Sequence, residues 1–271
     1  MKRILILIAA VAVLAACHQS KPFTFMHLTD TQIGFRDTTA HYALSDSLMG
    51  LAVEAVNRIH PACVVITGDL VNNMDIAEQR EIYRRRIAQI DSSIPVWVVP
   101  GNHDELPYTE ETHARYLEFI GYDRFSFVLN GVAFIGINSN PIRDGIADAE
   151  AGQLEWLKGE LARARKADMT FVFLHCPIYR RSLDEAEDYS NFSLPKRTEY
   201  LELFRQYGVD AVFSGHLHYG LETDYEGMRM ITAGPVAMPL GSGFSGVGVV
   251  KVSPEGFAYR YSSAPEATEA F

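Results

Sequence analysis

Five short apolar runs in this chain each end on side chains able to hold a metal ion, and that repetition narrows the folds open to it. Phe23 to Leu28 leads into Asp30 and Gln32, and Cys63 to Ile66 leads into Gly68-Asp69. Pro95 to Pro100 leads into Gly101-Asn102-His103-Asp104. Phe171 to Leu174 ends at His175, and Val209 to Phe213 ends in Gly215-His216-Leu217-His218. Continuous apolar runs this short fit strands buried on both faces. Leu44, Leu48, Leu51, Ala55 and Ile59 recur at helical spacing, and Pro61 stops that helix. Residues 75 to 91, 109 to 120, 150 to 167 and 195 to 207 are further expected helices. Strand and helix alternate early, which predicts an α/β fold with parallel strands and helices outside. In such sheets, sites form beyond the carboxyl ends of the strands.

The later chain reads differently. Phe125 to Leu129, then Asn130-Gly131, then Val132 to Ile137 is a hairpin pattern. A long polar loop runs from Tyr179 to Ser193. Met228 to Thr232, Val247 to Val252 and Phe257 to Ser262 read as antiparallel strands. No linker interrupts the sequence, so residues 23–262 are expected to be one domain, with 263–271 as a tail.

The ligand types are carboxylate, amide oxygen and imidazole, with no thiolate, which suits Mn, Fe or Zn in a working site. Asp30 with Gln32, and His216 with His218, are two apart, which on extended backbone puts each pair on one side. Seven ligands, Asp30, Gln32, Asp69, Asn102, His175, His216 and His218, are too many for one ion that keeps a water. They suit two divalent or trivalent ions sharing Asp69, ~3.5–4 Å apart. His103 can move a proton near neutral pH, and Asp104 is the carboxylate beside it. Histidines 18, 27, 41, 60 and 113 are expected to be surface or packed residues.

This ordered set, Asp30-Thr31-Gln32, Gly68-Asp69, Gly101-Asn102-His103-Asp104, His175 and Gly215-His216-Leu217-His218, resembles the calcineurin-like metallophosphoesterase superfamily. Thr29 to Gly34, Asp184 to Tyr189, Leu194-Pro195-Lys196 and Phe213 to His216 are similar to its serine/threonine-phosphatase-like branch. The resemblance implies a four-layer α/β/β/α sandwich. It implies one ion on Asp30, Gln32, Asp69 and His218, and another on Asp69, Asn102, His175 and His216. It also implies His103 as the acid that protonates the leaving oxygen of a phosphorylated substrate. Gln32 stands where many members have histidine, so the first ion is expected to be labile. Asn72-Asn73 replaces the Asp-Arg that phosphoprotein phosphatases use after Gly-Asp. Asp104 is then the expected partner of His103, and Arg180 or Arg181 the expected grip on phosphate. Three readings follow: a phosphomonoesterase, including a phosphoprotein phosphatase; a phosphodiesterase or nucleotide pyrophosphatase; and a non-catalytic surface lipoprotein.

Charge bears on partners. With 24 basic and 34 acidic residues the formal net charge is -10, which argues against a nucleic-acid groove. Lys2-Arg3 followed by the apolar run Ile4 to Ala16 reads as an export signal over 1–16, too short for a spanning helix of ~20 residues. Leu14-Ala15-Ala16-Cys17 resembles the lipobox of bacterial lipoproteins, so Cys17 is the expected lipidation site, with residues 17–22 a short tether to a cell-envelope membrane. Cys63 and Cys176 lie at opposite sheet edges and are expected to be free thiols.

Overall fold

The computed structural model describes residues 21–269. Its elements in order are β1 (Phe23–Leu28), α1 (Ala43–Ile59), β2 (Val64–Thr67), α2 (Ala77–Ile87), β3 (Val96–Val99) and α3 (Glu110–Ile120). There follow β4 (Phe125–Leu129), β5 (Val132–Gly136), α4 (Asn140–Arg143), α5 (Ala147–Ala164), β6 (Met169–Phe173), α6 (Leu194–Tyr207) and β7 (Ala211–Ser214). The chain finishes with β8 (Leu221–Tyr225), β9 (Met228–Thr232), β10 (Val247–Ser253) and β11 (Gly256–Ser262).

Two sheets result, ordered β11-β10-β1-β2-β3 and β4-β5-β6-β7-β9-β8. In the first, β1, β2 and β3 run parallel; in the second, β5, β6, β7 and β9 do. The sheets face one another across an aromatic seam of Phe25, Phe134, Phe171, Phe173 and Phe213, all fully buried. Phe25 meets Phe134 edge-on at 5.0 Å, and Phe173 stacks on Phe213 at 5.1 Å. Each such side chain contributes roughly 1.5–3 kcal/mol through burial alone. The outer faces are covered by helices. Met49, Val53 and Val56 of α1 and Ile82 and Tyr83 of α2 pack on the first sheet. Leu157 and Leu161 of α5 and Tyr200 and Phe204 of α6 pack on the second. This is the four-layer α/β/β/α sandwich. The β4–β5 hairpin closes through Asn130 (φ 48) and Gly131 (φ 87), a two-residue turn whose twist matches the strands.

Three features depart from the sequence reading. β9 pairs in parallel with β7, not only antiparallel with its neighbour β8. The chain first passes to the sheet edge as β8, then turns at Glu226-Gly227 back into the gap beside β7. The half-buried alternation of β8 and the single turn of α4 were too short to show as periodic patterns. After Ser262 the chain packs: Ala264 and Ala267 are buried in the α1 core, and Arg58 donates to the Ala264 and Ala267 carbonyls. Residues 1–16 and Cys17 lie outside the described residues. Cys63 and Cys176 are free and buried.

Candidate metal centre

The parallel strands of both sheets end at one edge, and the turns beyond β1, β2, β3, β6 and β7 converge there. Those turns are not extended. Asp30, Gln32, Asp69, His216 and His218 have φ of 50°, 29°, 51°, 71° and 56°, in the left-handed region that few non-glycine residues adopt. The two-residue spacing therefore does not act through extended backbone, as expected from sequence; the ligands are aimed by strained turns. Such strain collects at functional sites, where surrounding structure holds it. Glycine makes the close approach feasible. A Cβ on Gly101 would sit 2.2 Å from Asp69 Oδ1, and one on Gly215 2.6 Å from Asp30 Oδ2.

Two ligand groups meet at Asp69. Asp69, His175 and His216 form one, and Asp30, Asp69 and His218 the other, each with ligand atoms within 4.8 Å of one another and all buried. Asn102 joins the first through Oδ1, 3.1 Å from His175 Nε2. Gln32 joins the second, its Nε2 3.3 Å from Asp69 Oδ2. Asp30 is held by Thr29 Oγ1 and the His216 amide, both donating to Oδ2 at 2.7 and 2.9 Å. Asp69 Oδ1 accepts from the His103 amide at 2.8 Å.

Main-chain carbonyls set the imidazoles. His175 Nδ1 donates to Thr67 O at 2.7 Å, His216 Nε2 to Tyr189 O at 3.1 Å and His218 Nδ1 to Met238 O at 2.8 Å. A carbonyl only accepts, so each contact fixes the tautomer and turns the other nitrogen, with its lone pair, to the centre. His216 Nδ1 and His175 Nε2 stand 3.2 Å apart, and His218 Nε2 is 3.3 Å from Asp30 Oδ1.

Burial opposes charge throughout this cluster, and opposite charges overcome it at Asp30, Asp69 and His175 but not at His216. Burial would raise Asp69; His175, with His103 and His216, holds it well below the carboxylate range instead. Asp30 is lowered in the same way against burial by His218. His175, against burial, is lifted to about 9 by Asp69 and Asp30. His216 is lowered to about 4 by burial and the nearby His175.

The residues fit a pair of metal ions. Gln32 Oε1 is buried with no hydrogen-bond partner, and Asp30 Oδ1 is buried with only the ion-pair contact to His218 Nε2, unusual for polar atoms unless a ligand completes them. Both point of need fall in the same group, and the donor set has the hard-to-borderline character that Mn, Fe or Zn prefers.

Asp104 departs from its expected role. Its Oδ1 accepts from the Leu70 amide at 2.9 Å and its Oδ2 from the Gly101 amide at 2.8 Å, so it ties together the turns carrying Asp69 and Asn102. His103 Nδ1 instead donates to Asn72 O at 2.9 Å. The half-buried His103 faces a cavity of about 250 Å3 lined also by Asn72, Asn73, Asp75, Leu106 and Arg115. Arg180 commits its guanidinium to Glu185 and Asp188, at 3.4 and 2.7 Å, and Arg181 is exposed. Neither arginine makes a contact with the ligand groups.

The loop between β6 and α6 contributes contacts that its sequence resemblance did not assign. Tyr189 receives Asn102 Nδ2 on its hydroxyl at 2.6 Å and packs its ring 4.9 Å from that of His216. Arg197, fully buried on α6, holds the loop by donating to the carbonyls of Leu183, Glu185, Ala186 and Phe192. Backbone acceptors such as Asn72 O and Met238 O leave no trace in residue type; Tyr189 was visible as the end of the Asp184 to Tyr189 resemblance, but nothing in sequence gave it a contact at the centre.

A family model described as calcineurin-like phosphoesterase matches residues 23–220. The chain is 31% identical over 269 residues to serine/threonine-protein phosphatase CPPED1 of Mus musculus, covering 92% of this chain and 86% of that protein. It is 26% identical over 232 residues to the cAMP/cGMP dual specificity phosphodiesterase MT0825 of Mycobacterium tuberculosis, covering 81% and 69%. Among solved structures, purple acid phosphatase PPD1 from yellow lupin superposes with a TM-score of 0.71 at 16% identity, covering 92% of this chain and 52% of that one.

Proposed function

The chain belongs to the calcineurin-like phosphoesterase family, and from that premise we propose that it hydrolyses phosphomonoesters, with phosphoprotein side chains as its substrate class. That it is a metal-dependent hydrolase of phosphoric esters follows from the family and from the buried Asp/His centre. The single observation that carries the finer reading is His103. It lines an open cavity and has Nδ1 engaged by Asn72 O, which leaves Nε2 as the nitrogen for the alcohol of a leaving group presented from outside. The likeness to the mouse phosphatase over most of both chains supports a protein substrate.

Two ions, when bound, supply an activated water and positive charge for the phosphoryl oxygens. Asp30, Gln32, Asp69 and His218 would hold one, and Asp69, Asn102, His175 and His216 the other. The chain's own residues do the rest. Thr67, Tyr189 and Met238 carbonyls keep three imidazoles in the ligating tautomer. Asn72 O holds Nδ1–H of His103, so the protonated ring presents Nε2–H to the leaving oxygen and acts as general acid. Asp69 accepts from the His103 amide and so fixes the acid relative to the ligands.

Para-nitrophenyl phosphate against its bis ester, with Mn added, tests this reading. Faster turnover of the monoester, and release of phosphate from a phosphoserine or phosphothreonine peptide, is the expected result. The second reading, a phosphodiesterase, is favoured by the mycobacterial relative and predicts the reverse order. The third, a non-catalytic surface lipoprotein, predicts turnover of neither.

We also propose that the chain is exported and anchored through lipidated Cys17 to a bacterial envelope membrane, supported by the Leu14-Ala15-Ala16-Cys17 pattern after an apolar run. Processing blocked by globomycin supports it; an unmodified Cys17 in the mature protein contradicts it.

A further inference from the structure

Arg143, at the end of α4, has a side chain only 9% exposed. Its Nε donates to Asp144 Oδ1 at 2.7 Å, while Nη1 is buried with no partner. Its Cζ stands 5.2 Å from the centre of the Tyr189 ring. That ring rests against His216, and its hydroxyl accepts from Asn102 Nδ2 at 2.6 Å. A hydroxyl that accepts still has its own hydrogen to give, and the Arg143 guanidinium lies within hydrogen-bonding reach of that same hydroxyl. An Nη1–H of Arg143 without a partner and the Tyr189 O–H therefore stand together beside Asn102 and His216. A buried guanidinium N–H left without an acceptor is unfavourable, and a guanidinium fork matches phosphate geometry. Arg180, by contrast, is already neutralised by two carboxylates.

We propose that Arg143 and the Tyr189 hydroxyl together form the phosphate-gripping wall of the site, binding a non-bridging oxygen of the phosphoryl group beside Asn102. The proposal rests on the phosphoesterase reading above. It assigns to Arg143 the role that the sequence suggested for Arg180 or Arg181.

The test is calorimetric titration of the Mn-saturated full chain with inorganic phosphate, with metal content measured on each variant. Arg143→Gln is expected to weaken phosphate binding roughly 10- to 100-fold, the range for losing a charge-assisted hydrogen bond, at unchanged metal content. Tyr189→Phe, which keeps the ring against Arg143, is expected to weaken it by a smaller factor, about 3- to 10-fold. Arg180→Gln is expected to leave it unchanged. Wild-type phosphate affinity in Arg143→Gln overturns the proposal while leaving the phosphoesterase reading intact. Should Arg143→Gln not fold, Tyr189→Phe decides, and unchanged affinity there overturns the shared grip. Failure of the wild type itself to bind phosphate or turn over any ester overturns the underlying reading instead.

Discussion

His103 Nδ1 lies 2.9 Å from the carbonyl oxygen of Asn72, so a main-chain acceptor, not a carboxylate, orients the ring at the mouth of the metal centre. A carbonyl can hold a tautomer and an orientation, but it brings no full charge to the ring. The ring proposed as the general acid is therefore oriented by the turn after β2 rather than by its sequence neighbour Asp104.

Removing the ring separates chemistry from metal binding. His103→Ala is expected to retain the wild-type metal content, because the His103 contact to Asp69 runs through its amide. Its kcat should fall roughly 10²- to 10⁴-fold, the usual worth of a general acid. Metal analysis and turnover on the same preparation check this; loss of metal in step with turnover contradicts it.

Asp104→Asn should behave in the opposite way. It leaves an amide nitrogen facing either the Leu70 or the Gly101 N–H, two donors in conflict. The loss is about 1–3 kcal/mol of stability. A lower melting temperature is expected, while the alkaline limb of the pH–rate profile stays where it was. A displaced limb would restore Asp104 as the partner of His103.

The sequence carried the topology because each ligand follows a buried strand, and burial on both faces writes itself as an unbroken apolar run. The order Asp30, Asp69, Asn102, His175, His216 and His218 already placed the ligands at five strand ends of one edge. What it concealed falls into two kinds. The first is backbone chemistry: left-handed φ at Asp30 and Asp69, and the carbonyls of Asn72, Tyr189 and Met238, have no residue code. The second is long-range pairing. Arg180 and Arg143 look alike in sequence, and only the fold gives Arg180 to Glu185 and leaves a nitrogen of Arg143 unpaired.

Glu185 shows the same limit, since nothing in the Asp184 to Tyr189 stretch names its partners. Its carboxylate accepts from the amides of Arg180 and Arg181 and from Asn191 Nδ2, all within 2.9 Å. Burial opposes the charge, but Asn191, these amides and Arg180 bring its pKa down to about 2. A pKa below the unfolded value of about 4.3 means the contribution is whole above that pH and is lost as pH falls toward 2. Glu185→Ala is expected to lose roughly 1–3 kcal/mol at pH 7 and to show a shallower loss of stability between pH 4.3 and 2 than wild type. Denaturant midpoints across that range measure it; parallel curves contradict it.

Gln32 offers a neutral amide, with Oε1 buried and unpartnered, where an imidazole would bind more tightly. Gln32→Ala is expected to weaken the more labile of two Mn-binding steps by about tenfold or more, and Gln32→His to tighten the same step. Titration with Mn followed by calorimetry resolves the steps. No change in either variant would remove Gln32 from the ligand set.

A paired centre requires Asp69 to belong to both ligand groups. Metal content of the full chain, loaded with Mn and freed of excess, tests this most directly. About two ions per wild-type chain are expected, and fewer than about one in Asp69→Ala, because removing the shared carboxylate opens both positions. One ion or none in the wild type, or two retained in Asp69→Ala, would contradict a paired centre built on that residue.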